Sequence, residues 1–301
     1  MAARRRLDAE LVRRGLAPSR AAARALVEDG RVLVGGADAT KASRLVDAGE
    51  PVVVQGPPPR FVGRGGEKLA GALEAFGLDP GGLRVLDAGA STGGFTDCLL
   101  QAGAAEVVAL DVGHGQLHER LRADDRVVVL ERTNLRHVEP DALGPFDAAV
   151  ADLSFISLTT VMGVLVACVC PGGWLVVLVK PQFEAGRQEV SRARGVVTDP
   201  AAWARAIESV VRAAGEAGAA MMGAAVSPLK GGEGNVEFLV HLVAGSDRAG
   251  RAERAERAGT SGSGERAGEQ PGGAAGGKGP MIDAVIRDVV EQAVERHGGR
   301  R

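Results

Sequence analysis

The spacing of apolar positions changes along the chain and divides it. Over residues 4–50, Leu7, Leu11 and Val12 recur at helical spacing until Gly15. A second short helix is predicted from Arg20 to Val27, with Ser19 as its N-cap and Gly30 closing it. Val32-Leu33-Val34, a Gly35-Gly36 turn and Val52-Val53-Val54 then read as small strands. Gln55 to Pro59 reads as a stiff, extended connection. The expected organisation is a small α+β unit over 1–55 and a linker over 56–63.

From about residue 64 strand-like and helix-like runs alternate, the pattern of an α/β fold with a parallel sheet covered on both faces. Strands are predicted at 84–87, 106–111, 127–130, 147–152, 174–180, 219–226 and 235–243. Helices are predicted near 66–76, 94–102, 114–122, 157–169 and 200–217, so the main body spans 64–244. Residues 245–280 are rich in Gly, Ala, Arg, Glu and Ser without an apolar period, which predicts disorder. A helical stripe returns through Ile282, Val285, Ile286, Val289 and Val290, predicting that 281–301 dock on the body as a last helix.

Composition narrows the class. With 45% hydrophobic and 25% charged residues the chain reads as a soluble globular protein. Leu153 to Val179 contains no charge, as a membrane span would, but Pro171-Gly172-Gly173 divides it into a short helix and a strand, so no membrane association is expected. The basic start is followed by Asp8 and Glu10 instead of an apolar run, so no signal peptide is expected there. Cys98, Cys168 and Cys170 lie in apolar segments without paired spacing, which points to packed thiols in a reducing, cytoplasmic compartment and to no metal site. The net charge of −2 conceals an asymmetry: residues 1–60 carry eleven Lys and Arg against seven Asp and Glu. A basic head on an acidic body predicts an anionic partner, met through Arg4, Arg6, Arg13, Arg14, Arg20, Arg24 and Arg31, with Arg64 beyond the linker. Aromatics are only 3%, so base stacking is not expected to dominate that contact.

The chemistry begins at Val85-Leu86-Asp87-Ala88-Gly89-Ala90-Ser91-Thr92-Gly93-Gly94-Phe95, a buried strand running through a glycine turn into a helix. Such a turn lets backbone approach a ligand at the carboxyl end of the first strand, where open α/β sheets bind cofactors. The spacing G-x-x-x-G-G, with Asp87 two places before Gly89, suits S-adenosylmethionine better than a dinucleotide, because there is no pyrophosphate to cradle. Asp111 ends the second strand, where a carboxylate can accept from ribose hydroxyls. Thr133-Asn134 offers a polar edge to adenine. His114 and His118, four apart on the predicted helix 114–122, are expected at the surface.

Four charged residues fall near predicted strand ends or a helix start: Lys68, Asp152, Lys180 and Glu237. Each would be costly to bury alone, so one shared site explains the set. A ribose hydroxyl must lose its proton as it attacks a sulfonium methyl, and a lysine serves as base only in its neutral form, which a second cation or desolvation favours. On this reading Lys180 is the base, Asp152 orients it, and Lys68 and Glu237 position the hydroxyl.

In order along the chain, Arg64-Gly65-Gly66-Glu67-Lys68, Asp87 to Phe95, Asp111-Val112-Gly113, Ala151 to Ser157, Val179 to Phe183 and Gly234 to Phe238 closely resemble the TlyA family. These are ribosomal RNA 2′-O-methyltransferases, often labelled haemolysins. The resemblance covers 4–244, and residues 4–50 resemble a small RNA-binding domain of a ribosomal small-subunit protein. It implies a Rossmann-like class I methyltransferase with a seven-stranded sheet, the cofactor S-adenosylmethionine, methylation of a cytidine ribose in ribosomal RNA, and a catalytic set carried by Lys68, Asp152, Lys180 and Glu237. His114 stands where the family pattern has an aromatic, and 245–280 reads as an insertion. Two other classes compete: a ribosome-associated RNA-binding protein without catalysis, and a membrane-lytic haemolysin.

Overall fold

The computed structural model describes residues 4–17, 20–56, 59–184, 195–245 and 280–297. The amino-terminal unit consists of β1 (Arg5–Arg6), α1 (Leu7–Arg13), α2 (Arg20–Glu28), β2 (Val32–Val34), β3 (Ala37–Asp38), β4 (Leu45–Val46) and β5 (Val52–Val54). Gly35 and Gly36, both with positive φ, turn β2 back on β3, and β5 closes the other edge of β2. The short pairings β1–β4 and β2–β3 lack an alternating apolar run and escaped the sequence reading. Leu7, Leu11, Ala23, Leu26, Val27, Val32 and Val34 fill a core of this unit's own. The expected cap Ser19 lies outside the described residues.

The body begins earlier than expected. Phe61 is buried against α3 (Gly65–Phe76), where a Cβ on Gly66 would stand 2.3 Å from its ring, so the end of the expected linker 56–63 packs as part of the body. The sheet is built from β6 (Arg84–Ala88), β7 (Glu106–Leu110), β8 (Val127–Leu130), β9 (Phe146–Ala151), β10 (Val169–Val179), β11 (Ala219–Val226) and β12 (Phe238–Ala244). Its order is β11-β12-β10-β9-β6-β7-β8. The sheet is mixed, not wholly parallel: β12 runs antiparallel to both neighbours, while β8, β7, β6, β9 and β10 are parallel. The apolar runs of β7, β6, β9 and β10 are buried on both faces, between two clusters that contain Leu86, Val108 and Val177 on one side and Val85, Val107 and Val176 on the other. The edge strand β8 is only partly buried, with Val128 exposed.

The helices around the sheet are α4 (Gly94–Gln101), α5 (Glu119–Arg122), α6 (Pro140–Leu143), α7 (Met162–Cys168), α8 (Pro181–Glu184), α9 (Pro200–Glu216) and α10 (Pro280–His297). Ile286, Val289 and Ala293 of α10 are buried in the core that α9 and β11 share, as the returning stripe predicts. The expected disorder of 245–280 falls almost wholly outside the described residues. Three boundaries differ from the periodic reading. Pro171-Gly172-Gly173 does not end an element but forms an irregularity inside β10, which starts at Val169. The run 157–169 divides into a 3₁₀ turn (Leu158–Thr160) and α7. The run 114–122 keeps only α5, because Gly115 takes φ +67° and breaks the helix before it starts. His114 and His118 therefore do not share a helix face.

No helix among the described residues is long and apolar enough to cross a membrane. Nor do the described residues contain a group of three His, Cys, Asp or Glu able to hold a metal.

Candidate active site

Every parallel strand of the body points its carboxyl end to the same rim, and the loops there carry the chemistry. Between β6 and α4 the chain turns at Gly89 with φ +87°, where a Cβ would stand 2.5 Å from the Asp152 carbonyl oxygen. Only glycine fits both the conformation and the approach, so the loops after β6 and β9 close on each other. A cleft of about 560 Å³ opens beside this turn, lined by Gly89, Ser91, Asp111, Gln116, Asn134 and Asp152 among others. A smaller hollow of about 190 Å³ shares Gly89, Ser91 and Asp152 with it and adds Thr92, Gly94, Phe95 and Lys180.

Asp111 forms a cup at the cleft wall. Its Oδ2 accepts from the Ser91 amide at 2.9 Å and its Oδ1 from the Gly113 amide at 2.6 Å, which fixes the carboxylate and leaves lone pairs toward the cleft. Asn134 spends its Oδ1 on the Arg136 amide as cap of the 3₁₀ turn Leu135–His137. Asp87 does not reach the cleft. It is fully buried behind the turn, with Oδ2 accepting from Thr96 Oγ1 at 2.6 Å and Oδ1 without a partner. Gly93 likewise lies behind, its Cα against Leu121 and Leu117. The expected cofactor residues therefore split: Gly89, Ser91, Asp111 and Asn134 line the cleft, Thr92, Gly94 and Phe95 line the hollow, and Asp87 and Gly93 back them.

Burial pushes the Asp87 carboxyl up to about 7, against the pull of the Thr96 hydroxyl. The folded chain thus holds this proton where an unfolded chain has released it, and the contribution of Asp87 to stability falls as pH rises from about 4 through 7. Asp87→Asn, neutral at every pH, is expected to melt several degrees above wild type at pH 8.5, with the gap closing toward pH 5. Calorimetric melting of both proteins across that range checks it, and a gap that widens toward acid refutes it.

The four charged residues singled out by the sequence meet at the rim as two ion pairs. Lys68, on the first turns of α3, donates to Glu237 Oε2 at 2.5 Å, and both are buried. Lys180, just beyond β10, stands 2.5 Å from Asp152 Oδ1, just beyond β9, and donates its hydrogen bond to Ser154 Oγ at 2.9 Å. The pairs lie within each other's field. Burial raises the Glu237 carboxyl, Lys68 and then Lys180 oppose that rise, and Asp152 adds to it. Such a site holds a lysine amine and a carboxylate at a solvent-reached hollow and backs them with a second, buried Lys–Glu pair.

Several participants escaped the sequence reading. Ser154 stood in a quoted motif but carries no chemistry that distinguishes it from other loop serines. Glu184, half-buried at the end of α8, accepts from Ser157 Oγ at 2.5 Å and from the Leu158 amide at 2.8 Å, tying the loop after β9 to the loop after β10. Phe155, with φ +66° and 93% exposed, stands at the mouth of the cleft with its ring 5.5 Å from Phe183.

The expected RNA-facing arginines are all engaged. Arg4 meets Asp47; Arg6, Arg20 and Arg24 meet Asp8; Arg13 and Arg14 meet Glu10. Arg14 also donates to the carbonyls of Glu50, Asp47 and Ala48, so it ties the unit together internally. Arg64, first placed with the RNA contacts, bridges the two domains through Asp29 at 3.1 Å and the Lys230 carbonyl at 3.4 Å.

Residues 61–244 match the FtsJ-like methyltransferase family and residues 5–52 the S4 domain. The chain is an FtsJ-like, Rossmann-type methyltransferase with an amino-terminal S4 domain. It belongs to the TlyA family. It is 52% identical over 258 residues to the 16S/23S rRNA (cytidine-2′-O)-methyltransferase TlyA of Mycobacterium tuberculosis, covering 85% of this chain and 96% of the relative. It is 37% identical to Hemolysin A of Brachyspira hyodysenteriae, covering 79% of this chain and 99% of that one. A solved structure from Streptococcus thermophilus with a provisional hemolysin name superposes with a TM-score of 0.68 at 33% identity, covering both chains fully.

Proposed function

We propose that this protein transfers a methyl group from S-adenosylmethionine to the 2′-hydroxyl of a cytidine in ribosomal RNA of the small or large subunit, in the cytoplasm. The observation that carries the reading is the pair of ion pairs, Lys180–Asp152 and Lys68–Glu237, set at the strand ends beside the glycine-turn cleft. The relatives named above supply the substrate class.

The residues fit the cofactor. The cleft offers the fixed Asp111 carboxylate for ribose hydroxyls, the Asn134 amide nitrogen near the far end, and the Gly89 turn where backbone alone gives the needed approach. S-adenosylmethionine, when bound, supplies an electrophilic methyl on a sulfonium. Lys180 takes the proton from the ribose hydroxyl, with Asp152 and Ser154 fixing its amine. Lys68 and Glu237 brace the hollow from its buried side and position the hydroxyl. With the cofactor bound, the oxygen's electron pair would form the new O–C bond as the methyl–sulfur bond breaks and its pair stays on sulfur as a neutral thioether. The proton goes to Lys180, so much of the rate rests on alignment.

Asp111→Ala tests the cofactor half of this reading. Losing hydrogen bonds to a charged acceptor costs about 1.5–3 kcal/mol, roughly ten- to a hundredfold in S-adenosylmethionine affinity, with the fold kept. Calorimetric titration measures it, and an unchanged affinity places the ribose elsewhere.

A further inference from the structure

Eight arginines were expected to meet RNA, yet the structure gives seven of them an anion within the protein and sets Arg31 on the Gln55 carbonyl. The most developed cluster centres on Asp8. Arg6 grips it with two bonds, Nε to Oδ1 at 3.1 Å and Nη2 to Oδ2 at 3.0 Å. Arg20 and Arg24, four apart on α2, reach the same Oδ2 at 3.0 and 3.3 Å. The Ala9 amide completes the set at 2.9 Å. Asp8 is closed off from water by the guanidinium groups laid over it, while the three arginine side chains remain about half exposed, at 44%, 53% and 53%. Hydrogen bonds from Arg6, then Arg20 and Arg24, hold the Asp8 carboxyl far below the usual carboxylate range despite burial. Each guanidinium has five N–H donors, and one or two of them are used on Asp8.

We propose that Asp8 is the positioning residue of the RNA-binding surface: it holds Arg6, Arg20 and Arg24 in a fan whose outward N–H groups seat the phosphodiester backbone. This rests on reading the S4 domain as the rRNA-binding part. Three arginines on flexible stems would each lose side-chain entropy on binding; gathered on one carboxylate from β1 and α2, they are already placed. The cluster keeps a net charge of +2, so the shared anion organises the surface without cancelling it. Arg14 stays outside the fan, since its bonds run inward.

The proposal is separable from simple charge counting because the two disagree in sign. Asp8→Asn raises the net charge by one, which by itself tightens RNA binding and steepens its salt dependence. Loss of the fan weakens binding about tenfold, the worth of one charge-assisted hydrogen bond, and flattens the salt slope. The experiment uses the full chain and an end-labelled, protein-free ribosomal RNA transcript, with fluorescence anisotropy between about 50 and 200 mM salt. Expected are tight wild-type binding, weakened Arg20→Gln, weakened Asp8→Asn, and a smaller cost of Arg20→Gln in the Asp8→Asn background. Tighter binding by Asp8→Asn with a steeper slope overturns the fan alone. Failure of the wild-type chain to bind overturns the S4 reading and the fan with it. If hydrogen exchange across α1 shows that Asp8→Asn melts the domain, Arg20→Lys decides instead. That variant keeps the charge but lacks the planar fork, so it should lose affinity nearly as Arg20→Gln does. Wild-type affinity in Arg20→Lys overturns the proposal.

Discussion

Lys180→Ala is expected to bind S-adenosylmethionine and RNA nearly as wild type does and to lose methyl transfer by roughly 10²–10⁴-fold, the range of a positioned proton transfer. The amine of Lys180 stands at the hollow beside the Gly89 turn, 2.5 Å from Asp152 Oδ1 and 2.9 Å from Ser154 Oγ. Removing it leaves the Asp152 side chain 21% exposed but its Oδ1 buried without a hydrogen-bond donor, so some stability is lost while the fold should persist. Lys180→Arg is the sharper test. A guanidinium keeps the charge and can still face Asp152, but it is not deprotonated in a protein. If Lys180 acts only by charge, on RNA phosphate or on Asp152, the arginine variant keeps most of the activity. If Lys180 takes the proton, it does not. Single-turnover rates at saturating enzyme and cofactor separate the two without interference from RNA release. An arginine variant near the wild-type rate would reassign Lys180 to positioning.

Where the sequence speaks clearly, a local rule and the tertiary structure agree. β6, β7 and β8 were legible within a residue or two because each is a short apolar run bounded by glycine or charge, buried on both faces in β6 and β7 and partly buried in the edge strand β8. The charged quartet was legible for a different reason. Lys68, Asp152, Lys180 and Glu237 lie up to 169 positions apart, but four ions near element ends of one α/β unit have few affordable places, and the rim is the one they share. What stayed hidden depends on neighbours the sequence does not display. Pro171-Gly172-Gly173 looks like a terminator, yet β9 pairs on both sides of it and carries β10 through. Asp87 has the spacing of a ligand-facing acid, but the turn at Gly89 folds over it and delivers Asp111 and Ser91 to the cleft instead. The arginines of the S4 domain read as a basic surface. Only the packing of α1 against α2 brings Arg20 and Arg24 onto Asp8.

A chain that begins at Pro59 is expected to bind S-adenosylmethionine as the full protein does and to lose methylation of ribosomal subunits by a hundredfold or more. The separation is possible because the S4 domain packs on its own core, Leu7 to Val46, while Phe61 and Val62 pack with the body and are retained. The truncation removes the Arg64–Asp29 bridge, a half-exposed pair of the kind worth at most about 1 kcal/mol, so the rim residues should stay in place. What it takes away is affinity. The removed residues 1–58 hold ten Lys and Arg against seven Asp and Glu, a net +3, and the Asp8 and Glu10 arginine clusters, whereas the remaining chain is net −5 and does not attract a polyanion by itself. Phosphate contacts of that number account for on the order of a hundredfold or more in RNA affinity at moderate salt. Supplying the S4 domain as a separate molecule at micromolar concentration should not restore activity, because a short tether holds it at roughly millimolar effective concentration. Cofactor titration and subsaturating methylation rates on the same preparations decide the matter. If the shortened chain methylates subunits at the full rate, the S4 domain is not what brings the body to its RNA. If cofactor affinity collapses with it, the domain completes the cleft instead of delivering the substrate.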